Sequence, residues 1–353
     1  MEHQLNRLRQ QIAQASADQT PLQLRGGGTK DWYGQVPHGS VLDTRSYQGI
    51  IDYDPSELVI TARCGTLLTE VEAALAERNQ MLAFEPPHCG DGATIGGVVA
   101  AGLSGPRRAS AGAVRDFMLG AVLLDGRGEL LHFGGQVMKN VAGYDVSRLL
   151  AGSLGTLGLL TEVSIKVLPK PFAESTRRLP MSQAEALVQL NLWGGQPLPI
   201  SASVWHDDLL TIRLSGARAA VAAAEQKIGG EALPQPEQFW RDVREQDHAF
   251  FADPMHALWR LSVPSVTPPL ALSGRQLIEW GGAQRWVQTE ATAAEVRAAA
   301  SAAGGHATLY VGSDKSVGVF QSLAPALALI HRRLKVAFDP SGIFNPGRLY
   351  PEL

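Results

Sequence analysis

Cysteine is nearly absent from this chain: 353 residues contain only Cys64 and Cys89, with no CxxC pair and no metal-ligand spacing. That scarcity excludes a self-supplied iron–sulfur cluster, which normally takes four thiolates, and it suits a reducing cytoplasm. Long apolar runs are missing too. The longest, Ile95 to Leu103, is glycine-rich and far short of the ~20 residues that cross a bilayer. The N-terminal MEHQLNRLRQQIAQ has no signal-peptide core; Leu5, Leu8 and Ile12 instead mark one face of an amphipathic helix. Positive charge is not in excess. Lys+Arg 31 against Asp+Glu 34 leaves a formal charge of −3, so no basic field draws in nucleic acid. Neither G-x-G-x-x-G nor G-x-x-x-x-G-K-[ST] occurs, which removes support from a Rossmann dinucleotide site and from a Walker nucleotide hydrolase.

What the chain has is glycine, unevenly spread: 23 of its 37 glycines lie between Gly26 and Gly158, which marks that half as the ligand cradle. Backbone that approaches a ligand closely, or takes positive φ, favours a residue without a Cβ. The density falls after Pro169 and Pro171, so a domain boundary is expected near residue 171. The length also favours two domains over one core.

Three stretches concentrate the signal. A strand-like PLQLR ends in Arg25-Gly26-Gly27-Gly28-Thr29, where successive N–H groups can converge on one anion such as a diphosphate. Taken alone, such a stretch is more often only a flexible turn. The second runs from Glu85 and Pro86 through Gly92-Ala93-Thr94-Ile95-Gly96-Gly97 to Gly102, with Arg107, Arg108 and Arg115 beyond. Its adjacent glycines let a chain pass beneath a flat ring, although a tight strand-to-helix turn would use the same residues. The third is Lys139-Asn140-Val141-Ala142-Gly143-Tyr144-Asp145, followed by Gly152-Ser153-Leu154-Gly155-Thr156-Leu157-Gly158-Leu159-Leu160-Thr161.

Between these, Leu58 to Thr61 reads as a strand leading into a helix with Leu68, Val71 and Leu75 on one face and Thr69 with Glu72 as a capping box. AVLLDGRGELLHF reads as a hairpin turning at Asp125-Gly126. Val163, Ile165 and Val167 alternate as a strand.

RGGGT, ATIGG, KNVAGYD with GSLGTLGLLTE, and DPSGIFNPGR, in that order, resemble the FAD-linked oxidases of the vanillyl-alcohol-oxidase (PCMH) superfamily. EPPHCGDGATIGG, GPRR, VRDF and FNPGRLY extend the likeness, essentially end to end, to the E-subunit family of bacterial glycolate oxidases. The resemblance implies an α+β protein with a PCMH-type FAD-binding domain over 1–171, an antiparallel-sheet cap over 172–320, and a C-terminal segment, 321–353, returning to the FAD domain. It implies that Arg25, Gly26, Gly27, Gly28 and Thr29 hold the diphosphate. Pro86, Gly92, Ala93, Thr94, Gly96, Gly97 and Gly102 would then line the diphosphate and flavin edge. Gly155, Gly158, Leu159 and Thr161 would present backbone to the isoalloxazine, with Asn345 reaching the ring. Relatives that tether flavin covalently have His where this chain has Thr29, so the FAD is expected to be non-covalent. The implied partners are a D-type flavin subunit and an F-type iron–sulfur subunit, acting together on a small 2-hydroxy acid. The location expected is cytoplasmic, with membrane attachment only peripheral and through those partners.

The second half carries a repeat offset by 75 residues: Trp205 answers to Trp280, Thr211–Leu214 to Trp286–Thr289, and Val221, Ala224, Ile228 to Val296, Ala299, Ala303. With a strand over Thr176 to Leu179 and a helix capped by Ser182 and Glu185, the first copy reads β-α-β-β-α-β, so the cap is expected to be two ferredoxin-like units.

No GDGNxH-like histidine cluster of the hydroxy-acid dehydrogenases of this family is present; Gly304-Gly305-His306 is its nearest imitation and reads as the start of a strand. His88 as a base, and Arg107, Arg108, Arg115 or Lys139 as a carboxylate clamp, are the remaining candidates, though such a residue is more often a surface or phosphate-side charge. Catalytic residues are therefore unassigned. Three readings stay open: a subunit of a glycolate-oxidising complex, a self-sufficient FAD-dependent dehydrogenase, and a flavin-free scaffold.

Overall fold

The computed structural model describes residues 2–135, 145–253 and 255–353. It divides into two compact units, one of 1–103, 113–169 and 322–353, the other of 104–112 and 170–321. The excursion 104–112 groups with the second unit for local reasons. Arg107 donates to Glu174 (2.6 Å), Ser110 Oγ to the Ser201 carbonyl (2.9 Å), and Trp280 Nε1 to the Gly105 carbonyl (3.2 Å).

The first unit opens with helix α1 (Glu2–Asp18), which buries Leu8, Ile12 and Ala15. Strands β1 (Leu22–Arg25) and β2 (Ser40–Asp43) pair in parallel. There follow β3 (Ile50–Asp54), β4 (Val59–Arg63), α2 (Leu68–Ala76), β5 (Gln80–Met81) and α3 (Ile95–Ala101). After the excursion, which holds α4 (Arg108–Ala111), come α5 (Val114–Phe117), β6 (Met118–Leu124), β7 (Leu130–Gly134), α6 (Val146–Leu150), β8 (Leu159–Lys166) and β9 (Leu168–Pro169). The main sheet has the order β3-β4-β8-β6-β7, all antiparallel.

Two local expectations change. Thr69 and Glu72 form no capping box: the N-cap of α2 is Leu67, without a side-chain bond, and Glu72 turns instead to His88 Nε2 at 2.9 Å. In the β6–β7 hairpin the positive φ falls at Gly128 (+76°), not at Gly126. Gly126 is needed for space, since a Cβ there would lie 2.7 Å from Asp339 Oδ1.

The second unit is one eight-stranded sheet. Its first copy runs β10 (Ala173–Pro180), α7 (Gln183–Gly194), β11 (Ile200–His206), β12 (Leu209–Gly216), α8 (Arg218–Ile228), β13 (Glu231–Ala232). Helix α9 (Pro236–Glu245) links it to the second: β14 (Ala257–Ser262), β15 (Arg275–Glu279), β16 (Gln284–Thr289), α10 (Ala293–Ala302), β17 (His306–Val311). The sheet order β13-β10-β12-β11-β15-β16-β14-β17 is two ferredoxin-like units joined edge to edge, through Val204↔Glu279 and Trp205↔Ile278. The offset of 75 holds from β11/β15 through β13/β17. Ser182 caps α7 in a full capping box with Glu185, and His306 does begin a strand. Helix α11 (Pro325–Phe338) brings the chain back to the first unit.

In the second unit, His206 and His248 meet edge to face at 5.5 Å, beside Phe250 and Phe239. Burial lowers the pKa of both below the ordinary 6.5; at His206 Asp207 opposes the shift and Arg275 adds to it, and at His248 the His206 ring adds to it while Asp242 opposes. A lowered pKa means that, as pH falls below 6.5, the unfolded chain takes up protons the fold refuses, so stability is lost until the folded values are reached. Thermal stability should therefore fall as the pH drops below about 6.5. His248→Asn, which keeps an acceptor for the Phe250 N–H, should flatten that slope; an unchanged slope would remove the pair as its cause.

Candidate functional site

The first glycine stretch is the exit of β1. Thr44 N–H donates to the Arg25 carbonyl (3.0 Å), which holds the loop at its base, and Arg25 is tied to Asp31 at 2.6 Å. Beyond that anchor, among the described residues, no protein acceptor takes the backbone N–H of Gly26, Gly27, Gly28 or Thr29. Four successive donors left half-buried and unmatched require water or a ligand.

The second stretch lies directly against the first. A Cβ on Gly27 would fall 1.5 Å from the Gly92 carbonyl oxygen, and one on Gly26 would fall 2.4 Å from Thr94 Oγ1. Thr94 is the N-cap of α3, accepting the Gly97 N–H at 3.2 Å. Gly96 sits on Cys64: its N–H donates to the Cys64 carbonyl (3.0 Å), and a Cβ would lie 2.5 Å from Cys64 Cβ. Cys64 itself is buried, which pushes its thiol pKa well above the ordinary range, so it is an inert wall and not a nucleophile.

The third stretch, Ser153 to Gly158, follows α6 and enters β8. Leu154 and Gly155 both take positive φ (+49° and +72°). They are held by Asn345 of the tail, itself at φ +40°, whose Nδ2 donates to the Leu154 carbonyl (2.6 Å) while its Oδ1 accepts the Leu24 N–H (2.8 Å). Asn345 thus spends both ends of its amide bracing the first stretch against the third. Behind it, Lys335 Nζ is buried and donates to the carbonyls of Thr156 (2.8 Å) and Phe344 (2.7 Å) and to Asp339 (2.8 Å). Burial lowers the Lys335 pKa, with Asp339 opposing.

These pieces line one cleft: Arg25, Gly26, Gly96, Gly97, Gly155, Gly158, Leu159 and Asn345, together with Leu24, Thr44, Cys64, Ala100, Leu154 and Leu160. It is narrow, about 70 Å³, with its open mouth bringing the empty space to about 410 Å³. Gly27, Gly28, Thr29, Gly92, Ala93 and Thr94 form the paired loops next to it. Pro86 is buried outside the lining. Gly102 is the left-handed C-cap of α3, pressed against Gly152, and Thr161 donates to the Val122 carbonyl on the neighbouring strand (3.1 Å). Lys139 to Tyr144 lie outside the described residues. The sequence reading missed Cys64 and Thr44, which carry no motif, and did not single out Leu154 within GSLGTLGLLTE.

The candidate proton and carboxylate groups are engaged elsewhere. His88 faces Glu72, Arg107 is bonded to Glu174, Arg108 lies 4.3 Å over the Trp280 ring, and Arg115 is an exposed neighbour of Asp116. Among the described residues no cluster of three His, Cys, Asp or Glu side chains could hold a metal ion, and no helix is long and apolar enough to cross a membrane. Asn345→Asp would keep the acceptor for Leu24 but set a carboxylate against the Leu154 carbonyl. The expected result is a loss of about 1–3 kcal/mol in stability and of roughly tenfold or more in FAD affinity, read by denaturant unfolding and by FAD titration.

A glycine-built cleft with unmatched backbone donors, on a fold of this kind, suits the class of flavin-binding proteins. Consistently, residues 3–134 match the FAD binding domain family, and residues 277–349 match the C-terminal domain of FAD linked oxidases. The chain is 49% identical over 346 residues, 98% of its own length and 97% of the other's, to glycolate oxidase subunit GlcE of Escherichia coli strain K12. It belongs to that family of FAD-linked oxidoreductase subunits. Shorter matches, to glycolate oxidase subunit GlcD of Bacillus subtilis (33% identity) and to D-lactate dehydrogenase of Archaeoglobus fulgidus (35%), cover 46% and 44% of this chain and about a third of those proteins, 34% and 35%. The structure also superposes on alkyldihydroxyacetonephosphate synthase with a TM-score of 0.66 over 96% of this chain and 74% of that one; at 15% identity this establishes the shared PCMH-type fold alone.

Proposed function

We propose that this chain is the FAD-binding E subunit of a complex that oxidises glycolate to glyoxylate, together with a D-type flavin subunit and an F-type iron–sulfur subunit. The observation that carries the reading is the convergence of the three glycine stretches and Asn345 on one cleft, in a chain that aligns from end to end with a glycolate oxidase subunit. The unmatched N–H groups of Gly26 to Thr29 suit a diphosphate, and the Gly96, Gly155 and Gly158 backbone leaves room for a flat ring. FAD, when bound, supplies the two-electron acceptor that alcohol oxidation needs. No side chain binds it covalently in this reading, since Thr29 stands where tethering relatives have His.

Removing hydrogen from an α-hydroxy acid also needs a base for the hydroxyl proton and a cation for the carboxylate. The pairing of His88 with Glu72 and of Arg107 with Glu174 favours a partner subunit as the source of those groups. The complex then works in the cytoplasm, with any membrane attachment through the partners.

The chain expressed alone and mixed anaerobically with glycolate tests this. Bound FAD that stays oxidised until the partner subunits are added is the expected result. Bleaching by glycolate without partners would replace the proposal with a self-sufficient dehydrogenase, and a protein that takes up no FAD would leave a scaffold.

A further inference from the structure

The two copies in the second unit differ by one element. The offset of 75 residues carries β11 onto β15, β12 onto β16, α8 onto α10 and β13 onto β17, yet nothing answers to α7. Between β14 and β15, residues 263–274 hold no helix. The cause is in the sequence: Pro264, Pro268 and Pro269 lack the N–H donors a helix needs, and their rings clash with the preceding turn. This segment covers the second core with Leu270 and Leu272, and it is fastened by Arg285 to the Thr267 carbonyl (2.7 Å) and by Asn191 to the Ser265 carbonyl (3.0 Å). It touches α7 at Asn191 but leaves Val188 and Leu192 of that helix exposed.

Because β11 and β15 are neighbours at the junction, α7 and its missing counterpart would stand side by side on the same face of the sheet. What occupies that place is a groove of about 480 Å³, lined by Ala184, Leu187, Val188, Asn191 and Leu192 of α7 and by Val266, Pro268 and Pro269. Ala184, Val188, Asn191 and Leu192 recur at helical spacing, so they form one stripe along α7. Val188 is 62% exposed, Leu192 57% and Val266 73%, an apolar cluster that costs solubility unless something covers it. No charged side chain lines the groove.

We propose that this groove receives an amphipathic helix of a partner subunit, which takes the place of the helix the second copy lacks. A helix fits better than a strand, since it satisfies its own backbone, whereas Pro268 and Pro269 offer no N–H to a β-addition. Its docking face is aliphatic or aromatic, and it spans at least the ~12 Å between Ala184 and Leu192. The inference rests on the reading that the chain works in a complex.

The test co-expresses the affinity-tagged chain with the D-type and iron–sulfur subunits. The wild type should retain a partner subunit, and Val188→Asp/Leu192→Asp should retain at least tenfold less while keeping its own flavin content and circular dichroism. Val266→Asp, on the opposite wall, should give the same loss independently of α7, whereas Phe172→Asp, exposed outside the groove, should give none. Wild-type retention by both groove variants would overturn the docking site alone. A wild type that retains neither subunit would overturn it together with the complex reading. A chain that dimerises by itself, and becomes monomeric in the groove variants, would assign the groove to a second copy and overturn it equally.

Discussion

Gly27→Ala should yield a protein that purifies without flavin and binds added FAD at least a hundredfold more weakly than the wild type. The smallest possible side chain suffices, because its Cβ would fall 1.5 Å from the Gly92 carbonyl oxygen. No rotamer can relieve that overlap; the first and second glycine loops must move apart. The four unmatched donors at Gly26 to Thr29 are set by that contact, so the separation destroys their convergence. A hundredfold loss corresponds to about 2.7 kcal/mol, a modest share of what backbone displacement of this size removes. Gly194→Ala, in the second unit, is the control: its Cβ would meet nothing within 4 Å, so flavin binding should be unchanged. Retention of full flavin occupancy by Gly27→Ala, measured by the flavin absorbance of the purified protein, would remove the loop pair from the site.

Lys335→Met is the second substitution with a large expected effect, this time on stability. Asp339 is almost completely buried, and it accepts from Lys335 and from the N–H groups of Ile343 and Phe344. Without the ammonium, a buried carboxylate loses its counter-charge, and the carbonyls of Thr156 and Phe344 lose their donor. Breaking a buried pair in this way costs about 3–5 kcal/mol. For a unit of this size, that should lower the melting temperature by on the order of 10 °C. Lys335→Arg keeps the charge but not the fit among three acceptors, so it should fall between. A melting temperature within 2 °C of wild type for Lys335→Met, by about the lower bound of one kcal/mol, would show that the hub does not fasten the tail.

Much of this architecture is legible in the chain itself, and the reasons differ by element. The 75-residue repeat could be read because the elements of the two copies recur at that offset, with Val221 of α8 and Val296 of α10 both buried, although the other buried positions of the two helices do not correspond. The glycine stretches could be read because only glycine satisfies contacts such as Gly27 on Gly92 or Gly96 on Cys64. What could not be read depends on pairing across long sequence separations. That Asn345 belongs at the cleft is readable from the tail motif, but not that its amide braces Leu24 and Leu154, more than 190 residues away. Lys335 sits in a helix with no other buried residue, so periodicity gives no hint that it points inward. The excursion 104–112 joins the second unit through single side-chain bonds that leave no mark on composition. The missing counterpart of α7 is in plain view as three prolines, but its meaning emerges only once the sheet order shows which helix would have stood beside it.

Amide hydrogen exchange of the flavin-free chain, measured residue by residue with and without FAD, probes the cleft most directly. Slowed exchange at Gly26 to Thr29, at Gly92 and Thr94, and at Gly155 to Gly158, with the second unit's outer helices unaffected, is the predicted pattern. FAD that binds while those amides exchange at unchanged rates would contradict the account.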